Sequence, residues 1–123
     1  SYERKVVPNG AGTSTRVLGQ FVREEKLLSL SDAIARLSWL PAQRMEAFAS
    51  DFRTKGRIQL GADADLAIFD ANRVAARADY AHPFLAPAGM HYVVVAGAIS
   101  VKDGVLADEV GAGSKLTNSI GGK

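Results

Sequence analysis

The stretch Lys55-Gly56-Arg57-Ile58-Gln59-Leu60-Gly61-Ala62-Asp63-Ala64-Asp65-Leu66-Ala67-Ile68-Phe69-Asp70 separates two kinds of sequence. Upstream of it apolar residues recur at helical spacing, and downstream they fall in short β-rich runs bounded by glycine and aspartate. The helix-to-strand boundary is therefore expected at Lys55-Gly56-Arg57. Leu66-Ala67-Ile68-Phe69 is apolar at both parities, the pattern of a strand covered on both faces. Asp63 and Asp65 follow Gly61, and Asp70 follows the strand; carboxylates so placed accept backbone N–H bonds and fix turns. They could instead serve as metal ligands or as a general acid and base. An isolated Asp-x-Asp supplies only two oxygens, and no His or Glu follows nearby, so the turn reading is preferred.

Toward the N-terminus, Pro8-Asn9-Gly10 and Ala11-Gly12-Thr13-Ser14-Thr15 read as a loop feeding a helix, with Thr13 or Ser14 as N-cap. Val17, Leu18, Phe21, Val22 and Leu28 form the apolar stripe of that helix; Gly19 weakens it unless close packing needs the glycine. A second helix is expected from Ser31 as N-cap, with Asp32 in its first turn and Ile34, Leu37 and Leu40 as its stripe. Pro41 is expected to stop it and to open a third helix reaching about Phe48. Trp39, beside the stripe, reads as a core residue.

Toward the C-terminus, Pro83 and Pro87 place residues 71 to 90 on a long surface excursion. Tyr92-Val93-Val94-Val95 is the strongest strand signal. Ala96-Gly97 turns the chain, Ala98 to Val101 returns, and Asp103-Gly104 sends Val105-Leu106 back as the third strand of a meander. Alanine tolerates positive φ poorly, by roughly 1 kcal/mol, so a turn type other than that of Asn-Gly is expected at Ala96. Beyond Gly111 the glycine-rich tail has few anchoring hydrophobes.

A chain of 123 residues makes at most one ordinary domain, and 47 % hydrophobic residues suffice for a globular core. With no cysteine, disulfides, thiolate metal sites and cysteine nucleophiles are excluded. A net charge of +2, with Arg53, Lys55 and Arg57 as the nearest approach to a basic cluster, is too small to attract polyanions, so no nucleic-acid partner is expected. No apolar run approaches the ~20 residues of a membrane span, and no export signal shows, so a cytoplasmic, membrane-free protein is expected.

Complete catalytic constellations are lacking. The N–H groups around Asn9, Gly10, Ala11 and Gly12 could hold an anion, yet no P-loop lysine follows; a structural helix entry, a carboxylate-binding pocket and a nucleotide site all stay open. His82 and His91 fit no zinc spacing, and no serine sits in a Gly-x-Ser-x-Gly elbow. No catalytic residue and no metal ligand is assigned.

The Lys55–Asp70 stretch resembles the G-x-I-x-x-G-x-D-A-D-L-x-x-x-D segment near the C-terminus of metal-dependent amidohydrolases. Arg16 to Glu24, Leu28 to Ile34 and Leu40-Pro41-Ala42 are similar to the last barrel helices of the N-acyl-D-amino-acid deacylase (D-aminoacylase) branch. Val93-Val94-Val95-Ala96-Gly97 and Val101-Lys102-Asp103-Gly104 resemble its closing hairpins. Where that branch often shows a His-Pro-Arg-x-Tyr-Gly-Thr-Phe-like run, this chain has Val7-Pro8-Asn9-Gly10-Ala11-Gly12-Thr13-Ser14.

The resemblance implies an α+β fragment: two or three helices from the end of a (β/α)8 barrel, then strands of a small β-sandwich. Residues 1–54 would be the terminal helical segment, 55–110 the sandwich portion and 111–123 a flexible tail. Gly56, Gly61, Asp63, Asp65, Asp70, Gly97 and Gly104 would be structural, and Asn9 to Gly12 substrate-proximal. The family's metal ligands would all lie upstream, so zinc or another divalent metal is expected in the complete enzyme and no cofactor on this chain. A barrel needs on the order of 250 residues, so the 123-residue chain is expected to be inactive alone. Its partner would be the upstream barrel portion of the same protein, with a homo-oligomer possible. The alternative reading is a free-standing, non-catalytic α+β interaction module pairing through a β-sheet edge.

Overall fold

Helix begins at Asn9 in the computed structural model, which describes residues 9–107 together with 113 and 114. An α-helix, α1 (Asn9–Arg16), runs without a break into a π-helix over Val17–Glu24, because Arg16 keeps helical dihedrals of −68° and −43°. Thr13 and Ser14 therefore lie inside the helix and are not its N-cap. Thr15 is buried and turns its hydroxyl back to donate to Gly12 O at 3.1 Å. Lys26, with φ 52°, ends this rod, and Leu27 N–H reaches back to Phe21 O at 2.9 Å.

A second rod comprises α2 (Leu30–Ile34), a π-helix over Ala35–Trp39, and α3 (Leu40–Met45). Its N-cap is Ser29 and not Ser31: Ser29 Oγ accepts from Asp32 N–H at 3.1 Å and donates to Asp32 Oδ2 at 2.7 Å. Pro41 does not stop the rod. The π turn ahead of it spaces the hydrogen bonds i to i+5, as in Leu40 N–H to Ala35 O, and a widened turn gives room to a proline lacking its own N–H. Met45, not Phe48, is the last residue of α3, and a 3-10 helix follows over Ser50–Thr54. Ile34 and Leu40 stand half exposed, as does Trp39, which is not a core residue among the described residues; Ala33 and Ala42 are the buried residues of this rod.

The four strands β1 (Leu66–Phe69), β2 (Met90–Val95), β3 (Ala98–Lys102) and β4 (Val105–Leu106) form one antiparallel sheet in chain order. The meander expected over β2 to β4 is present, with β2 starting two residues before Tyr92. Contrary to the expectation for Ala96, both central residues of the β2–β3 turn have positive φ, 49° at Ala96 and 83° at Gly97, the geometry of a type I′ turn. Nor is β1 covered on both faces. Its register puts Leu66 opposite Val94 and Ile68 opposite Tyr92, and on that face Ile68 and Ile99 remain 48 % and 51 % exposed.

The core lies where both rods meet the ends of β1 and β2. Leu18, Ala33 and Val74 are buried, with Val17, Val22, Leu28, Leu37, Phe69 and Met90 packed against them. Val74 is 0 % exposed, so residues 71 to 90 are not wholly a surface excursion. The segment folds back at its base, where Val74 N–H donates to Asp70 O at 2.8 Å and Ala75 pairs with Ala88; Tyr80 and Phe84 project outward from its tip. Arg23 Nη1 donates to Val74 O at 2.6 Å, and Gly19 brings the first rod against the same segment.

A Cβ at Gly19 would lie 2.6 Å from Val74 O, a backbone atom that cannot swing away. Gly19→Ala should therefore destabilise by about 1–3 kcal/mol in denaturant melts, although helix propensity alone favours alanine by ~1 kcal/mol. Ala96→Asn should have the opposite sign, raising stability by roughly 0.5–1 kcal/mol, because asparagine tolerates the left-handed region better.

Candidate functional site

Lys55 sits directly after the 3-10 helix, and its Nζ reaches two carboxylates at once: Asp65 Oδ2 at 2.5 Å and Asp63 Oδ2 at 3.0 Å. Asp63 is placed by its neighbour across the loop, since Thr54 Oγ1 donates to Asp63 Oδ2 at 2.8 Å and Asp63 N–H donates to Thr54 O at 3.0 Å. Asp65 faces the other way as well: its Oδ1 accepts the N–H of Ala96 at 2.8 Å, while Gly97 N–H donates to Ala64 O at 3.1 Å. One carboxylate thus ties the end of the helical part to the β2–β3 turn. A charge-assisted bond to Ala96 offsets the cost of holding an alanine at positive φ.

These groups border a cleft of about 440 Å³ lined by Ser38, Pro41, Phe52, Lys55, Asp65 and Val95, among others. Gly56 forms part of its wall. With φ 68° and a Cβ position only 2.6 Å from Ser38 O, it lets the chain cross the second rod in contact. The Arg57 guanidinium pairs with Glu46. Lys55 and Arg57 are therefore neutralised by specific carboxylates, and the Arg53, Lys55, Arg57 run is no free basic patch.

The Ala96 N–H, and after it Lys55, hold the Asp65 carboxyl below the usual carboxylate range. The Thr54 hydroxyl, and after it Lys55, do the same for Asp63. Lys55 is raised above the ordinary lysine value, chiefly by Asp65 and then by Asp63. Carboxylates held low stabilise the fold above their unfolded values, near pH 4, and lose that contribution as pH falls through the folded ones. An amine held high stabilises below its unfolded value, about 10.4, and loses its contribution as pH rises through the folded one.

The other sequence-selected residues are spread through the fold. Asp70 Oδ1 accepts from Asn72 N–H at 2.8 Å, a turn bond at the end of β1. Gly61 and Gly104 have positive φ, Gly104 as second residue of the β3–β4 turn. Asn9, Gly10 and Ala11 form the first turn of α1, and their surroundings lie outside the described residues; Gly12 is buried beside Ala76 and Ala78. The tail from 111 onward lies outside them too, except Gly113 and Ser114 at the cleft. His82 Nδ1 lies 3.3 Å from Asp79 Oδ1 on an exposed loop, and His91 is exposed on β2. Among the described residues no three His, Cys, Asp or Glu side chains come together as a metal site, so these residues do not fit a metal centre and no chemical step is assigned to one here. No helix of the described residues is long and apolar enough to cross a membrane.

Residues 6–101 match the sequence profile of the amidohydrolase family. The chain belongs to that family. It is 45 % identical over 86 residues to an N-acyl-D-glutamate deacylase of Alcaligenes xylosoxydans xylosoxydans, a match covering 70 % of this chain and 17 % of the relative. Among solved structures, an N-acyl-D-glutamate deacylase from Bordetella bronchiseptica, complexed with zinc and a phosphonate inhibitor, superposes with a TM-score of 0.67 at 44 % identity, over 75 % of this chain and 18 % of that one. A D-aminoacylase mutant in complex with copper chloride gives a TM-score of 0.78 at 32 % identity, over 90 % and 22 %. This amidohydrolase chain thus spans about a fifth of the length of such relatives, and the whole Lys55–Asp65–Ala96 arrangement lies within the matched residues.

Asp65→Ala should lower stability at pH 7 by about 1–2 kcal/mol in denaturant melts, since it removes both the Ala96 bond and the Lys55 pair at a partly exposed site. Asp65→Asn, which keeps an acceptor oxygen for Ala96, should cost less and leave bound metal unchanged. Melting temperature followed against pH should be level from about pH 5 to pH 9 and fall on both sides, with both falls smaller in Asp65→Asn.

Proposed function

We propose that this chain is the C-terminal part of a metal-dependent amidohydrolase that hydrolyses the amide bond of an N-acyl amino acid. The observation that carries the reading is the 45 % identity to an N-acyl-D-glutamate deacylase, joined to the superposition on a solved deacylase holding zinc and a phosphonate mimic of the tetrahedral intermediate. N-acyl-D-glutamate and related N-acyl-D-amino acids are therefore the first substrates to try. Residues 1–54 would supply the final helices of a (β/α)8 barrel, residues 55–110 the closing strands of a β-sandwich, and 111–123 a tail.

A divalent metal held by residues outside this chain would polarise the amide carbonyl and activate water. The part played by this chain is structural. Lys55, just after the 3-10 helix, and the β2–β3 hairpin are locked together through Asp65, which fixes the surfaces this chain offers to the rest of the enzyme. The partner is that upstream portion, in a soluble, cytoplasmic setting without nucleic acid, and Asn9 to Gly12 form the segment nearest the substrate.

The 123-residue chain alone should hydrolyse neither N-acetyl-D-glutamate nor other N-acyl-D-amino acids. The complete polypeptide should hydrolyse at least one of them, lose activity on chelation and regain it with zinc. Release of free amino acid by the isolated chain would overturn its structural role, and an inert complete polypeptide with full zinc occupancy across a panel of N-acyl amino acids would sink the enzymatic reading and favour the non-catalytic module.

A further inference from the structure

The loop from Gly56 to Gly61 combines a fixed frame with a bare apolar tip. Gly56 lies against Ser38 and Ala42 of the second rod. Arg57 is paired with Glu46, and its Nε donates to Lys55 O at 3.0 Å. At the far end Ala62 N–H donates to Gln59 O, and Asp63 N–H to Thr54 O, both at 3.0 Å. Between these anchors Ile58 and Leu60 are 93 % and 102 % exposed. A slack loop could fold two aliphatic side chains back onto its own core. This one is braced from below and at both ends, so its tip is held out with the ordering cost of docking already met.

We propose that Ile58 and Leu60 are a preformed anchor that docks into an apolar recess on the part of the amidohydrolase polypeptide outside this chain. The inference rests on the proposed function, and it names the contact by which this chain grips the remainder. Two observations select the occupant. About four fifths of the length of the matched relatives lies outside the region this chain covers, so a large covalently linked neighbour is at hand and needs no diffusional encounter. The chemistry of the tip sets the character of the recess: Arg57 is already committed to Glu46, leaving no charge on the loop for an ionic partner and only two branched aliphatics to bury.

The test uses the complete polypeptide. This chain has no cysteine of its own, so Ile58→Cys and Leu60→Cys each place one thiol in it, followed by mass spectrometry of the peptide that carries it during alkylation with iodoacetamide. Both thiols should react at least about tenfold more slowly in the native polypeptide than in concentrated urea, because a buried thiol reacts only through local opening. In the unsubstituted polypeptide, deuterium uptake by the peptide spanning residues 57–60 should be similarly slowed. Alkylation within about twofold of the urea rate at both positions, or complete uptake at the earliest time point, overturns the proposal. Protection that vanishes on dilution together with a dimer-to-monomer change in mass also overturns it, since a second copy would then be the occupant. Deacylase activity of the same unsubstituted sample reads the proposed function separately, so an active enzyme with a free loop tip defeats this inference alone.

Discussion

The Asp65 carboxylate is the point through which the two halves of the chain are held in one arrangement. One oxygen takes the ammonium of Lys55, which closes the helical half, and the other takes the N–H of Ala96 at the tip of the β2–β3 hairpin. Without that second bond Ala96 has little reason to occupy a left-handed conformation, and without that conformation the hairpin has no two-residue turn matched to the twist of its strands. Asp63 and Thr54 reinforce the same joint by keeping Lys55 between two acceptors. The cluster is electrostatically satisfied, which suits a structural joint better than a site that binds ions.

The rest of the molecule reads as a part shaped to be covered. Among the described residues the buried ones are few and mostly small, Leu18 and Val74 being the larger, while Ile58 and Leu60 stand in solvent and Ile68 and Ile99 are half exposed. A surface of this kind is out of proportion for a solitary domain of 123 residues and in keeping with a family whose matched members are several times longer. The first rod, the β1–β2 connection and the ends of β1 and β2 share one small core around Val74, so the helical and sheet halves cohere through that core and through Asp65.

Much of this was legible in the sequence because its signals are local. The short apolar runs Leu66–Phe69, Tyr92–Val95, Ala98 to Val101 and Val105-Leu106, with the turn residues between them, place all four strands, and the Gly61-Ala62-Asp63-Ala64-Asp65 pattern points to turn-forming carboxylates. What was not legible depends on contacts distant along the chain. Gly19 is required by a carbonyl 55 positions away at Val74, and Ala96 adopts positive φ because of Asp65, which lies 31 positions back. Pro41 passes through a helix because a π turn precedes it, a geometry that no propensity scale encodes. Lys55 looked like one member of a basic run until the fold set two carboxylates around it.

The native polypeptide carrying this sequence is the most direct object to measure. Intact mass and metal content measured on that species should show a chain several-fold longer than 123 residues with a tightly bound divalent ion. A native species of this chain alone, monomeric and folded, with a metal ligated by His82 or His91, would contradict it.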